Sequence, residues 1–239
     1  MSSPKAIILA AGRGSRMENL TEEKPKGLVE FRNKPLIDWQ IEAIRSSGIT
    51  EISIVTGYKR ELFKSKGLFE FHNPRWAETN MVYSLCRADD WLSKSDCIIS
   101  YSDIFYNTSH VKLLKDSPND FSITYDKNWL DLWAKRFADP LDDAETFKEQ
   151  DGKLLEIGNR PTSLSEVTGQ YMGLLKFKPN GWKLIKEILN DQEQNFDQLD
   201  MTSLLNILLS MNYYVAAIPT NEEWYEFDSI EDLMASNDY

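Results

Sequence analysis

The run KAIILAA, residues 5–11, is apolar without interruption after its lysine and stops at Gly12. That is the pattern of a strand buried on both faces rather than one that alternates between core and solvent. PLIDWQIEAIRSSGI spaces its apolar positions at helical intervals, opens on Pro35 and closes at Gly48, so a helix is expected there. EISIVTGY is a second buried strand. ETNMVYSLCRADDWL carries another helical apolar face, and DCIISYSD is a third strand running into Asp103. Strand, helix, strand, helix, strand predicts a parallel sheet with helices on both faces. Right-handed crossovers then set the carboxyl ends of the strands along one edge, where such sheets bind ligands.

Beyond Asp103 the pattern changes. FSITYD is expected to be a strand, whereas 129–153, WLDLWAKRFADPLDDAETFKEQDGK, is denser in charge and reads as an insertion or lid ending in a turn at Asp151-Gly152. KLLEIG and GQYMGLLKF return to the sheet, and two helices follow near Trp182–Leu189 and Met201–Met211. YYVAAIPT and EWYEFD are late strands, and SIEDLMAS is a closing helix begun at Ser229, with Asp232 as the acid three positions on. No internal repeat or low-complexity tract interrupts this order. The expectation is one α/β domain over 1–239: a Rossmann-like three-layer α/β/α arrangement with a mixed, mostly parallel sheet and a small insertion.

Composition narrows the class. A chain of 239 residues with 41% hydrophobic and 12% aromatic content can bury roughly 70–75% of its unfolded surface without staples. A net charge of -11 and a pI near 4.8 leave no broad basic surface for nonspecific nucleic-acid binding. Cys86 and Cys97 make no disulfide framework and suit a reducing cytosol. No apolar run approaches the roughly 20 residues of a membrane span, and MSSPK passes straight into a strand without a secretory signal. These points predict a soluble cytoplasmic protein with neither nucleic acid nor membrane as a partner.

Against that acidic background, Arg13, Arg16, Lys24 and Lys26 gather around Gly12 and Gly14, just after the first strand. Amides of a glycine loop can converge on phosphate oxygens because no Cβ blocks them. A dinucleotide loop would need a third glycine where Met17 stands, and no Walker A string is present. Phosphate binding and simple turn geometry both remain open on the glycines alone. The longer string decides more. G-x-G-S-R-M, Thr21, KPKGL and KPLI resemble the nucleotidyltransferases that activate phosphorylated sugars and small phosphorylated alcohols, and the resemblance continues to SYSD and YEFD. FHNPRWAETNMVYSLCRA is most similar to the cytidylyltransferase branch, whose phosphocholine members carry a comparable Asn-x-x-Tyr-Ser-Leu.

The resemblance implies that an oxygen of the acceptor's phosphate attacks the α-phosphorus of a nucleoside triphosphate and pyrophosphate leaves. Two polyanions must meet in line, so the chemistry calls for positioning and cations rather than a covalent nucleophile. Arg16 and Lys26 match the family's triphosphate-contacting basic positions. The loop residues Leu9, Ala10, Ala11, Gly12, Gly14 and Ser15, with Asn80 and Ser84 on one helix face, match its nucleotide-binding elements; a helix cap is the competing role for Asn80. Asp103 and Asp228 each end a strand and match the acids that hold Mg²⁺, with Glu226 a weaker second and a helix cap the competing role for Asp228. Arg160 in EIGNRP stands where sugar enzymes hold the acceptor phosphate, and Lys127, Gln170 and Tyr171 are further acceptor contacts. Trp129, Trp133, Trp224 and Tyr225 fit either a core or an aromatic cage for quaternary ammonium. The acidic stretch WLDLWAKRFADPLDDAETF, 129–147, suits either an acceptor bearing an amine or a solvated face. His72 and His110 have no metal-like spacing, and no Ser-His-Asp or Cys-His arrangement supports a hydrolase.

The expected activity is therefore a Mg²⁺-dependent cytidylyltransferase acting on CTP and a small phosphorylated acceptor. Phosphocholine, 2-aminoethylphosphonate or a phosphoglutamine-like compound would serve, giving products that decorate bacterial surface glycans. A sugar-1-phosphate nucleotidylyltransferase using UTP, dTTP or GTP is the first alternative, and a non-catalytic nucleotide-binding module the second.

Overall fold

A computed structural model describes residues 3–191 and 196–237. In chain order the main elements are β1 (Lys5–Ala10), α1 (Leu36–Ser46), β2 (Ile52–Thr56), β3 (Phe69–His72), α2 (Met81–Cys86), β4 (Cys97–Tyr101), α3 (Thr108–Asp116) and β5 (Phe121–Asp126). They continue as α4 (Trp129–Arg136), β6 (Phe147–Gln150), β7 (Lys153–Ile157), β8 (Gln170–Phe177), α5 (Pro179–Asp191), α6 (Met201–Ser210), β9 (Ala216–Thr220) and α7 (Ile230–Asn237). The nine strands form one sheet in the order β3-β2-β1-β4-β8-β5-β9-β7-β6. β7 and β8 run against the other seven, so the sheet is mixed but mostly of one direction, as the sequence led us to expect.

Two hydrophobic layers hold the helices. One face of the sheet packs against α2, α5 and α6 through Val82, Leu85, Trp182, Ile185, Leu204 and Leu208. The other packs against α1, α3 and α4 through Ile37, Ile41, Ile44, Val111, Leu114 and Trp133. The continuous apolar texture of β1 follows from this: Ile7 and Leu9 feed one layer while Ala6, Ile8 and Ala10 feed the other. The stretch expected as one helix from Glu78 breaks after Cys86 and resumes as a short turn at Asp89–Leu92. The kink at Ala88 turns Leu92 into the same layer as Leu85.

Segment 129–153 begins inside the body. Trp129 and Trp133 on α4 are buried, and Trp133 stacks on Trp224 with ring centroids 5.9 Å apart. After a short turn at Pro140–Asp142 the chain enters the β6–β7 hairpin at the sheet's edge. Among the described residues, no helix is long and apolar enough to cross a membrane.

A third, smaller cluster matters most for the site. Met17, Phe31, Phe105, Tyr225 and Phe227 pack together beneath the glycine loop. They fix a two-stranded ribbon in which Ile104–Phe105 pairs antiparallel with Tyr225–Glu226, and the Phe227 amide donates to the Asp103 carbonyl at 3.0 Å. Residues 125 positions apart in sequence are thereby brought side by side: Asp103 enters the ribbon and Asp228 leaves it.

Candidate active site

The loop after β1 carries Gly14 at φ +75°, where a Cβ would lie 2.7 Å from Lys26 Cβ and 2.8 Å from its Cδ. Glycine is therefore required twice over, for the left-handed backbone and for the passage of the Lys26 stem. Thr21 Oγ1 donates to the Gly14 carbonyl at 3.0 Å and ties the loop shut behind it. The lysine then reaches the ribbon. Its Nζ donates to Asp103 Oδ2 at 2.8 Å and to Asp228 Oδ1 at 2.6 Å, and Arg16 Nη2 lies 3.2 Å from the same Asp228 oxygen. Burial alone would pull the Lys26 pKa down, but the charges of Asp103 and Asp228 outweigh it and hold the ammonium protonated well above its ordinary range. Burial likewise opposes ionisation of Asp228, and the Lys26 charge and hydrogen bond overcome it, so this carboxyl sits below its usual value.

The two roles weighed for Asp228 are now separable. The amides of Asp228 and Ser229 donate to Asp232 Oδ2 at 2.8 and 2.9 Å, and the Asp232 amide donates to Ser229 Oγ at 3.2 Å. Asp232 and Ser229 cap α7 between them, which frees the Asp228 side chain to face Lys26. Asp232 is held in turn by Arg136, whose Nε lies 2.6 Å from Oδ1; both side chains are almost wholly buried. Arg136 Nη1 is 3.8 Å from Glu226 Oε2. Burial raises Glu226 well above the usual carboxylate range, and the nearby Asp228 charge adds to it.

The donor set suits Mg²⁺. Two carboxylates already converge on a single cation, the Lys26 ammonium, and Asp103 Oδ1 is buried without a hydrogen-bond partner. Among the described residues no cluster of three or more His, Cys, Asp or Glu could cage a metal alone. Mg²⁺ commonly takes one or two protein carboxylates together with substrate phosphates and water.

At the start of the same loop a cleft of about 130 Å³ is lined by Leu9, Ala11, Gly12, Trp76, Thr79, Asn80, Met81 and Ser84. Open space surrounds Gly12 where a Cβ would be, so backbone is presented to the cleft. Gly14 and Ser15 continue the loop toward Lys26, while the Ala10 side chain points into the opposite layer with Ile37. Asn80 caps α2: its Oδ1 accepts from the Met81 amide at 2.8 Å, and its Nδ2 donates to the Gln198 carbonyl at 3.2 Å. Ser84 Oγ donates to the Asn80 carbonyl at 3.3 Å and accepts from Asn73 Nδ2 at 3.0 Å. Both side chains thus hold structure at a wall of the cleft. The sequence reading missed Trp76 and Gly57, where a Cβ would fall 2.4 Å from Trp76 Cβ and 2.5 Å from the Ala11 carbonyl oxygen. A glycine closing a buried strand was the available signal.

A second cleft of about 290 Å³ shares Met81 with the first and is walled by Arg16 and Asp228 on the side nearest Lys26. Its other walls are Tyr101, Trp133, Asp143, Glu145, Gln170, Tyr171, Gly173, Asp200, Met201, Thr202 and Glu226. The register of β8 breaks between Tyr171 and Leu175, at Gly173 with φ +70°, whose Cβ would meet the Tyr101 ring at 2.6 Å. Gln170 and Tyr171, just before the break, line this cleft. Lys127 and Arg160 are elsewhere. Lys127 opens on a separate cleft beside Ser109, Lys112 and Thr220, and Arg160 is exposed after β7, lining neither site cleft. Trp129 and Trp224 pack in the core and Tyr225 packs on Phe31, so of the four aromatic candidates Trp133 borders the cleft. Asp143, Glu145, Asp200 and Thr202 were not singled out, and they carry no motif.

Residues 6–157 match the model of the MobA-like NTP transferase domain. The chain belongs to that family. Within this MobA-like family it is 38% identical to the CTP:phosphoglutamine cytidylyltransferase of Campylobacter jejuni, over 95% of this chain and 97% of that one. It is 24% identical to the 2-aminoethylphosphonate cytidylyltransferase of Lancefieldella rimae, over 96% and 90% of the two chains. The solved CTP:phosphocholine cytidylyltransferase from Streptococcus pneumoniae superposes with a TM-score of 0.72 over 99% of each chain at 22% identity, which establishes a shared fold.

Proposed function

We propose that this protein transfers CMP from CTP to a small phosphorylated acceptor and releases pyrophosphate. The observation that carries the reading is Lys26 held between Asp103 and Asp228, with Asp228 and Arg16 also walling the larger of two clefts that share Met81. The smaller cleft, with the exposed backbone of Gly12 and the wall of Trp76, takes the cytosine; the larger takes the acceptor. Cytidylyl relatives matching across nearly the whole chain support CTP as the nucleotide.

In the reaction an acceptor phosphate oxygen forms a bond to the α-phosphorus as the bond to the β-phosphate bridging oxygen breaks. Lys26 acts as a point charge beside the α-phosphate, and Arg16, with its side chain 71% exposed, is free to swing onto the outer phosphates with two donors at once. A bound Mg²⁺, held by Asp103 and Asp228, supplies electrophilic polarisation of the phosphate oxygens. No residue needs to become covalently modified, since the barrier is set by charge and alignment.

Pyrophosphate release tests this directly. The protein is assayed with Mg²⁺ and each of CTP, UTP, dTTP, GTP and ATP against phosphoglutamine, 2-aminoethylphosphonate, phosphocholine and glucose 1-phosphate. Turnover with CTP and a small acceptor is expected. Efficient turnover of glucose 1-phosphate with UTP or dTTP, and none with CTP, would overturn the reading.

A further inference from the structure

Two segments far apart in sequence, 73–83 running into α2 and 196–200 leading to α6, are fastened to each other. The Arg75 guanidinium is paired with the Asp197 carboxylate and lies over the Tyr83 ring, 5.1 Å from its centroid; Tyr83 in turn stacks on Phe196. The Asn80 and Val82 amides donate to the Asp197 and Leu199 carbonyls at 2.5 and 3.2 Å. Asn80 Nδ2 donates to the Gln198 carbonyl at 3.2 Å, and Gln198 Nε2 returns to the Glu78 carbonyl at 2.6 Å. Thr79 Oγ1 donates to the Arg75 carbonyl at 2.8 Å, which ties the arginine to the residues that follow it.

The fastened segments wall different clefts. Thr79, Asn80, Met81 and Ser84 line the smaller, Asp200, Met201 and Thr202 line the larger, and Arg75 and Asp197 line neither. Asp200 is fixed at the end of its segment by capping α6, where Oδ1 accepts from the Ser203 amide at 2.7 Å. A small-molecule ligand takes a pocket of about 300 Å³ or more, so a cleft of about 130 Å³ must widen to admit a nucleoside. The β1 side has no room to give, because Leu9 is paired with a strand on each flank. Trp76 sits against Gly57, where a Cβ would fall 2.4 Å from it. That leaves the wall from Thr79 to Ser84, and packed elements joined by several contacts shift as units rather than deforming.

We propose that Arg75 and Asp197 are positioning residues whose clasp couples the two clefts, so that a nucleotide widening the smaller one resets the Asp200–Thr202 wall of the larger. This rests on the reading of the smaller cleft as the nucleotide site and adds how its occupancy reaches the acceptor. The clasp touches neither ligand. It acts by making two walls one body, and without it the nucleotide wall moves alone.

Methionines labelled with ¹³C at the methyl group test this by NMR, because Met81 borders both clefts and Met201 borders the larger alone. The two signals are assigned from Met81→Ile and Met201→Ile, and the protein is titrated with non-hydrolysable analogues of CTP, UTP and GTP. The CTP analogue is expected to shift both signals in the native chain and Met81 alone in Arg75→Gln. Arg75→Lys, which keeps a cation beside Asp197, should recover the Met201 shift. In pyrophosphate release, Arg75→Gln should raise the KM of the acceptor by about tenfold with kcat within about twofold, and Arg75→Lys should restore it. A Met201 signal that stays still in the native chain, or moves equally in Arg75→Gln, would overturn the clasp, as would a fall in kcat with the acceptor KM unchanged. A Met81 response to the UTP or GTP analogue alone removes the cytidylyl reading, and the Met201 response to that analogue still decides the clasp. No response of Met81 to any of the three overturns both.

Discussion

The two ends of the site are built in opposite ways. At the nucleotide end, a loop, a lysine and two strand-terminal aspartates are locked together by short contacts: Lys26 bridges both carboxylates and Gly14 leaves room for its stem. At the acceptor end, carboxylates and an amide face a cleft without satisfying one another. The first is pre-assembled around charges it already compensates. The second leaves the Gln170 amide oxygen without a hydrogen-bond partner. The proposed reaction would give this division a reason, since a triphosphate is common to many such reactions whereas the acceptor must be chosen.

Breaking the pre-assembled end should cost most. Lys26→Met is expected to lower kcat/KM for pyrophosphate release by about a thousandfold, with the fold retained by circular dichroism; a rate near that of the native protein would remove Lys26 from the chemistry. Next comes the link between the ends. Arg136→Met leaves Asp232 buried without its partner beneath Asp228, so stability should fall by about 3 kcal/mol and the thermal midpoint by about 6–12 °C. An unchanged midpoint would mean that this ion pair does not brace α7.

Smaller effects sharpen the contrast. Gly14→Ala forces a left-handed alanine against Lys26, and should cost about 1–2 kcal/mol while slowing turnover by about tenfold or more through displacement of the lysine. If stability falls but turnover does not, the glycine serves the loop alone. Asn80→Ala removes the cap of α2 and should cost about 1 kcal/mol in thermal unfolding. A large loss of CTP affinity without loss of stability would instead make Asn80 chiefly a reader of the base. His110 offers a control distant in role from both ends. Burial lowers its pKa to about 4, so the folded state binds fewer protons than the unfolded state between that value and about 6.5. Stability should therefore decline as pH falls through that window, and His110→Gln, which can keep the helix-start hydrogen bond, should flatten the decline.

The same contrast explains what the sequence disclosed. β1, the glycine loop, Lys26 and Asp103 lie on consecutive local patterns, and each is forced by something within a few residues: a buried strand, a left-handed turn, a strand end. Asp228 was legible as an acid at a strand end, but its separation from a capping role required seeing Asp232 take that role. The acceptor cleft had no such local cause. Asp143 and Asp200 come from separate loops, and Gln170 comes from the start of β8, before its register break. A charge-dense stretch read as a lid contains α4, whose tryptophans four positions apart are as much the mark of a buried helical face as of a cage. Lys127 and Arg160 were expected as basic acceptor anchors, and neither lines the larger cleft, whose walls include five acids and one arginine.

The central claim is that the triphosphate and its metal assemble where Lys26 now joins Asp103 to Asp228. Crystals grown with CTP and Mn²⁺ test it most directly, through the anomalous signal of the metal. The account predicts a peak within bonding distance of both aspartates, with the Lys26 ammonium moved onto the α-phosphate and cytosine beside Gly12. A peak remote from both carboxylates, with Lys26 still bridging them and the triphosphate bound elsewhere, would contradict it.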